Sequence, residues 1–286
     1  MANEPSAPRP GERGLALVAV LWGVAILSLI AAAMLATGYL SVRLSRNAFS
    51  RTEAETAADN GVARAILALL DGRKGAHWPA DGTSQRVAVA GVAMTIAIQD
   101  ERGRIDLNAA SPDLIRSLLE SQGVESDRAD RLTDRIVAWR TPPGHGLSED
   151  DAAPDYRDAG YAIVPRRGPF QSVDELRLVL GMTGALYDRL EPLLTVYSRQ
   201  PAVDEAVAPR AVLLALPGMD AEKVDAILAA RAKSGEPSPP ADAPPLAGHS
   251  FAITVDVTKG SAHVVRKATV ELTGDAARPY LVRQWH

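Results

Sequence analysis

The chain has 286 residues, 47% of them hydrophobic, which is enough for one large domain or two modest ones with a packed core. Lys and Arg number 31 against 35 Asp and Glu, a formal net charge of -4, so the chain as a whole lacks the basic excess that neutralising a nucleic-acid backbone requires. With no cysteine it can have no disulfide framework, no thiolate zinc site and no cysteine nucleophile.

The first predicted element decides the class. No residue from Leu15 to Val42 is charged, and the stretch LALVAVLWGVAILSLIAAAMLAT, roughly 23 residues, spans about 34 Å as a helix, the thickness of a bilayer core. A polar leader, MANEPSAPRPGERG, precedes it. Arg9 and Arg13 could form a cytoplasmic positive flank, but Arg43, Arg46 and Arg51 follow on the other side, so charge alone does not orient the span. A cleaved secretory signal is the competing reading, with Ala31, Ala32 and Ala33 as small residues at the cut. The uncharged stretch exceeds the usual signal core of about 7–15 residues, however, and a second helical pattern continues out of it. There Ala54, Ala58, Val62, Ala65, Ile66 and Leu69 recur at helical spacing, while Glu53, Glu55, Asp59 and Arg64 take other positions. Asn60-Gly61 counts against the helix locally, since Gly costs about 1 kcal/mol relative to Ala.

Asp71-Gly72, Gly75 and Pro79 mark a loop, after which RVAVAGVAMTIAIQD alternates as two short strands with a turn near Ala90-Gly91. Ser111-Pro112 reads as an N-cap with Pro at the first helical position. Helices follow with apolar faces at Leu114, Ile115, Leu118 and Leu119, then at Leu132, Ile136 and Trp139. A third, begun by Ser172, carries Val173, Leu176, Leu178 and Leu180, and AVLLALPGMDAEKVDAILAARAKSG is a further helical pair. EPSPPADAPPLAG is a Pro-rich linker, beyond which FAITVDVTKGSAHVVRKATVELT returns to strands with a turn at Lys259-Gly260, and PYLVRQWH reads as a last edge strand. The expected fold is α+β: a long N-terminal helix packed on a small antiparallel sheet, with a large all-helical domain inserted between strands. The corresponding segments are a leader at 1–14, the helix at 15–70, the sheet domain at 71–104 and 248–286, and the insertion at 105–247.

Nothing in the sequence reads as a catalytic constellation. The five histidines, His77, His145, His249, His263 and His286, never fall at ligand spacing and read as solvated loop or strand-end residues, and no nucleophile elbow, Walker loop, H-E-x-x-H or dinucleotide fingerprint is present. LLALPGMDAEKVDAILAAR and RIDLNAASPDLIRSLLESQGVESDRADRL resemble helix-hairpin-helix modules, whose tight turns offer backbone amides to phosphate. Here Asp220 stands where a second Gly belongs, and Glu125, Asp127 and Asp130 surround the other turn, so carboxylates would repel the ligand. A membrane-tethered helix-hairpin-helix protein for DNA binding or uptake is therefore the alternative reading, with no nucleic acid expected under the main one. In LSEDDAAPDYRDAGY the residues Glu149, Asp150, Asp151, Asp155 and Asp158 could supply a calcium shell or simply form a solvated acidic loop.

Glu12-Arg13-Gly14 directly before the apolar helix resembles the leader of type IV prepilins, and by that resemblance an inner-membrane prepilin peptidase cuts between Gly14 and Leu15 and methylates the new N-terminus. Most of that superfamily carry Glu at the fifth residue after the cut. This chain has Ala19, a departure shared by the type II secretion system minor pseudopilin K family. DERGRIDLNAA, GPFQSVDELRLVLGM and the terminal RQWH are similar to that family as well. The resemblance implies no enzyme but a tip subunit of a periplasmic pseudopilus, single-pass in the bacterial inner membrane, assembling with minor pseudopilins I and J to export folded proteins. It also implies calcium near the acidic loop, with Asp150, Asp151 and Asp155 as candidate ligands. Where the family's loop begins with an Asp-Trp-x-Asp run, this chain has Ala138-Trp139-Arg140-Thr141.

Overall fold

The computed structural model describes residues 10–71, 78–89, 91–142, 153–158, 160, 165–234 and 246–286. Helix α1 spans Pro10–Leu70 and is followed by strands β1 (Asp81–Val89) and β2 (Val92–Asp100). Next come β3 (Ile105–Asp106), α2 (Pro112–Ser121), α3 (Ser126–Arg140), α4 (Ala153–Asp158), α5 (Gly184–Leu190), β4 (Leu194–Thr195), α6 (Arg210–Leu213) and α7 (Ala221–Ser234). Strands β5 (Ser250–Lys259), β6 (Ala262–Asp275) and β7 (Arg278–Trp285) close the chain. The main sheet has the order β1-β2-β5-β6-β7 with every neighbouring pair antiparallel.

Two different environments share α1. Its Leu17–Met34 stretch has a mean hydropathy of 2.5, is long and apolar enough to cross a membrane, and has no residue buried by the rest of the protein. Farther along, Ala54, Ala57, Ala58, Val62, Ala65, Ile66 and Leu69 are buried against the sheet. They meet Met94, Ile96 and Ile98 of β2, Phe251, Ile253, Val255 and Val257 of β5, and Ala268, Val270 and Leu272 of β6. The period-2 alternation of those strands sends these side chains to one face, and the helical period gathers their partners into one stripe.

Gly61 does not interrupt the helix. A Cβ there would lie 2.6 Å from Val255 Cγ1 and 2.8 Å from Met94 Sδ, so the residue that weakens the helix intrinsically is the one that lets it touch the sheet. Asn47 and Glu53 reach the β5–β6 hairpin, through Ser261 at 3.2 Å and Lys259 at 4.0 Å, and Asp59 pairs with Arg266 at 2.8 Å. The hairpin therefore sits toward the apolar span, and the sheet end carrying Asp100 and Ser250 lies away from it.

The helical segment leaves the sheet at that far end. Asp100 and Phe251 are Cα partners in the β2–β5 ladder, so residues 101–249 stand where a hairpin turn would be. Closure entropy grows only logarithmically with loop length, about 0.6 kcal/mol per doubling, so a large insertion is tolerated when its ends stay adjacent. The segment has its own core, in which Leu114, Ile115, Leu118, Leu132, Ile136 and Trp139 are buried together with Leu176, Leu186 and Leu190. Ser111 Oγ accepts from Leu114 N at 3.2 Å, the expected N-cap with Pro112 at the helix start.

Several elements differ from the sequence reading. Val173–Leu178 forms a 3-10 helix, and the Ser172 side chain makes no capping bond. Only Leu176 of this short helix is buried, and the chain turns extended at Val179, so no run of helical length forms here. The helix before the LPGMD turn shrinks to the four residues of α6. The insertion also contains a parallel pair, β3 with β4, too short to leave a periodic signal.

Replacing Gly61 by Ala should lower the stability of the detergent-solubilised chain by about 1–2 kcal/mol, because overpacking at 2.6 Å outweighs the roughly 1 kcal/mol gain in helix propensity. Thermal melting measures this, and a raised midpoint would mean that β5 yields to the added methyl.

Candidate functional site

Where the insertion joins the sheet, one polar cluster absorbs most of the motif DERGRIDLNAA. Asp100, the last residue of β2, caps the 3-10 turn Glu101–Gly103 by accepting from Arg102 N at 2.9 Å. The Arg102 guanidinium closes on the same carboxylate, Nη2 at 2.8 Å and Nε at 3.1 Å from Oδ2, and reaches Asp204 at 3.5 Å. Forked charge-assisted bonds of this kind hold direction as well as distance. Gln99 Nε2 donates to Val207 O at 2.9 Å, and a Cβ on Gly103 would lie 2.6 Å from that same carbonyl oxygen. Glu101 is buried beside Arg104, whose Nη1 is 3.2 Å from Oε1, and burial pushes its carboxyl above the usual range against the pull of that guanidinium.

The remaining motif residues are structural too. Asp106 Oδ1 accepts from Asn108 N at 2.8 Å, and its Oδ2 accepts from Arg199 N at 2.8 Å and Ser198 Oγ at 3.2 Å. Arg199 takes a left-handed conformation, φ 55°. The Asn108 amide pairs with Phe170 as a strand would, accepting from its N at 2.7 Å and donating to its O at 2.9 Å. Arg140 ties α3 to this turn by donating to Leu107 O and Ala110 O, both at 2.6 Å. Phe170 stacks on Trp139 at 5.9 Å, and Glu175 accepts from Trp139 Nε1 at 3.3 Å and Arg166 Nη2 at 3.0 Å. GPFQSVDEL is thereby the other half of one scaffold.

His249 is not the solvated residue that the sequence implied. It borders Ser250 at the return to the sheet, with Nδ1 buried, without a hydrogen bond, and 3.7 Å from Asp100 Oδ2. Burial, then Arg102, lowers its pKa, while Asp100 and Asp204 pull the other way. His263 is exposed and lies 3.0 Å from Asp256. His77 and His145 fall outside the described residues.

The two hairpin-like turns are occupied by the chain's own groups. Asp220 Oδ1 accepts from Lys223 N at 2.8 Å at the start of α7, and Lys223 Nζ turns back to Gly218 O at 2.7 Å. Backbone hydrogen bonding within this turn, led by Lys223 N, lowers the Asp220 pKa, so a carboxylate stands where a phosphate would have to bind. At the first turn Asp130 lies 3.6 Å from Arg116, and Glu125 precedes α3 without a side-chain cap.

Gly14 and Leu15 lie within α1, and Ala19 is exposed on it. Asp150 and Asp151 lie outside the described residues, and Asp155 belongs to α4. Among the described residues no group of three or more His, Asp or Glu side chains could hold a metal ion.

A family model for type II secretion system (T2SS), protein K, matches residues 96–202, from β2 through the junction and most of the insertion. Type II secretion system protein K of Pseudomonas aeruginosa is 28% identical over 256 residues, 79% of this chain and 74% of that protein. The protein of the same description from Klebsiella pneumoniae is 28% identical over 232 residues, 71% of this chain and 69% of that protein. Among solved structures, the crystal structure of the GspK-GspI-GspJ complex from the enterotoxigenic Escherichia coli type 2 secretion system contains a chain that superposes with a TM-score of 0.55. It is 14% identical and covers 86% of this chain and 98% of its own length.

A base whose folded pKa is depressed contributes stability that is fully present above its unfolded value, about 6.5 for His, and is lost as pH falls from there through the lower folded value. His249→Gln should therefore flatten the stability profile between about pH 7 and 5 relative to the unaltered chain. Chemical denaturation across that range measures the difference, and parallel profiles would show that His249 does not titrate differently on folding.

Proposed function

We propose, from the premise that the chain belongs to the type II secretion system protein K family, that it founds the tip of a periplasmic pseudopilus and supports export of folded proteins across the outer membrane. The family is a structural component of secretion. The observation that carries the tip assignment is the position of the insertion: it springs from the sheet end remote from the apolar span, where Asp100 and Phe251 pair. In a fibre that grows by stacking helices, bulk at that end obstructs any subunit seated above.

The I and J minor pseudopilins are the proposed partners, in keeping with a structural relative solved as a GspK-GspI-GspJ complex. Cleavage between Gly14 and Leu15 by prepilin peptidase, with methylation, would free the chain to leave the inner membrane with its folded part on the periplasmic side. Ala19 fits the same role. A carboxylate deep in the bilayer costs about 2.5–3.5 kcal/mol or more unless a neighbour's N-terminus neutralises it, and a founding subunit has no neighbour above it.

Co-expression of the full chain with prepilin peptidase and the I and J subunits tests both parts. The mature chain should begin at Leu15 by intact mass and should co-purify with I and J. A chain beginning near Met34 would reject the leader, and failure to co-purify would reject the assembly.

Asp150, Asp151 and Asp155 are proposed as calcium ligands, their carboxylate oxygens suiting a hard cation. Calcium at about 100 times its Kd should then stabilise the chain by about 2.7 kcal/mol, raising its melting temperature by several degrees. The triple change to Asn should abolish the shift. Melting that is indifferent to calcium and to chelator would leave a solvated acidic loop.

A further inference from the structure

Of the four polar residues gathered where the insertion meets the sheet, Asp100 and His249 are held by the sheet, and Arg102 and Asp204 by the insertion. Asp100 ends β2 as the Cα partner of Phe251, and the His249 carbonyl accepts from Leu272 N of β6 at 2.9 Å. Arg102 opens the insertion and is tied to Asp204 twice: its carbonyl accepts from Asp204 N at 2.9 Å, and its guanidinium lies 3.5 Å from the Asp204 carboxylate. The Asp100 carboxylate is therefore where the sheet grips the insertion, with Arg102 Nη2 at 2.8 Å and Nε at 3.1 Å from Oδ2. The same oxygen lies 3.7 Å from His249 Nδ1, which is buried and has no hydrogen-bond partner. Among the described residues, Asp100 of β2, Arg102 of the 3-10 turn and Asp204 of the insertion are the charged groups that face the imidazole. From β5 it meets the Phe251 ring at 6.3 Å, and from β6 the Leu272 backbone.

We propose that protonation of His249 transfers the Asp100 carboxylate from Arg102 to the imidazolium and thereby loosens the angle at which the insertion sits on the sheet. This goes beyond the assembly reading and does not depend on it. A neutral imidazole with its proton on Nε2 leaves Oδ2 to the guanidinium. Once charged, Nδ1 is a buried donor without water, and Asp100 is the carboxylate within reach, so the ring closes from 3.7 Å to bonding distance. The new positive charge also repels Arg102. The guanidinium has room to move, because a cavity of about 330 Å³ adjoins it, lined in part by His249, Ser198, Gln200 and Asp204. Asp204 is the second carboxylate that can hold it, and the bond from sheet to insertion becomes one within each. Two carboxylates, a guanidinium and an imidazolium sum to zero charge, so the protonated arrangement accumulates none. Burial, then Arg102, lowers the His249 pKa, so the change sets in below the ordinary value of about 6.5. Gln99 still donates to Val207 O at 2.9 Å, a bond with no ionisable member, so the insertion loosens about a tether and does not detach.

The absence of cysteine allows two spin labels to be placed at chosen positions. Full chain in detergent would carry Ser84→Cys on β1 and Ser126→Cys at the start of α3, both exposed. Pulsed double electron–electron resonance then reads the distance between sheet and insertion at about pH 7.5 and about pH 5, on either side of the His transition. The distribution should be narrow at the higher pH and at least twofold broader at the lower, with a midpoint below about 6.5. His249→Gln in the labelled chain cannot take the charge and should stay narrow at both. Arg102→Met lacks the guanidinium that grips Asp100 and should be broad at both, and it decides the matter if His249→Gln fails to melt cooperatively. Equal widths at the two pH values in the chain with His249 and Arg102 intact would overturn the proposal. So would acid broadening that survives in His249→Gln, or a narrow distribution in Arg102→Met.

Discussion

The close seating of α1 on the sheet at Gly61 is the contact on which the other parts depend. A helix running from a bilayer span into a folded head can transmit position only if it cannot slide or roll on that head. The stripe of Ala54, Ala57, Ala58, Gly61 and Ala65 brings the helix axis within reach of Val255 and Met94. Interiors packed to crystal-like density resist displacement, so the same contact that buries apolar surface makes anchor and head one body. The Asp59–Arg266 pair at 2.8 Å and the Asn47–Ser261 bond at 3.2 Å mark the direction in which the helix crosses.

That direction gives the insertion its meaning. Its two ends meet at a single rung of the β2–β5 ladder, and its core is separate from the one beneath α1. A second domain joined at one rung would swing on two strands of chain unless something fixed its angle. Asp100, Arg102, Asp204, Gln99 and the Gly103–Val207 approach do so on one side. Across the sheet surface, Lys267 pairs with Glu191 at 3.1 Å and Arg199 with Glu271 at 3.4 Å. The exposed pairs add little stability individually, and the buried, directional ones define orientation. The motifs of the junction are therefore accounted for as architecture, with no reaction required of them.

The apolar anchor, the order of strands and helices, the N-cap at Ser111 and the edge position of β7 were legible in the sequence because each rests on local rules: charge-free length, a period of 3.6 or 2, Ser-Pro at a helix start, alternation bounded by turns. Gly61 misled in part, since propensity sees only its cost to the helix, while its benefit lies on β5, far away in the chain. The 3-10 character of Val173–Leu178 and the pairing of β3 with β4 left no usable period. His249 read as solvated because nothing near it in sequence indicates that Asp100 and Arg102 enclose it from the other end of the insertion.

The sequence by itself determined that an uncharged helix passes into an amphipathic one and that strands on either side of a helical block belong to one α+β unit, because hydrophobic periodicity is written residue by residue. Only the tertiary structure decided that the block leaves from the sheet end remote from the anchor, that Asp106 and Asn108 are brackets for Arg199 and Phe170, and that Tyr280, Val282 and Trp285 share the face crossed by α1. Those facts depend on strand register and on contacts between residues tens to hundreds of positions apart. A one-residue slip would reverse which face each side chain takes, and no local pattern encodes that choice.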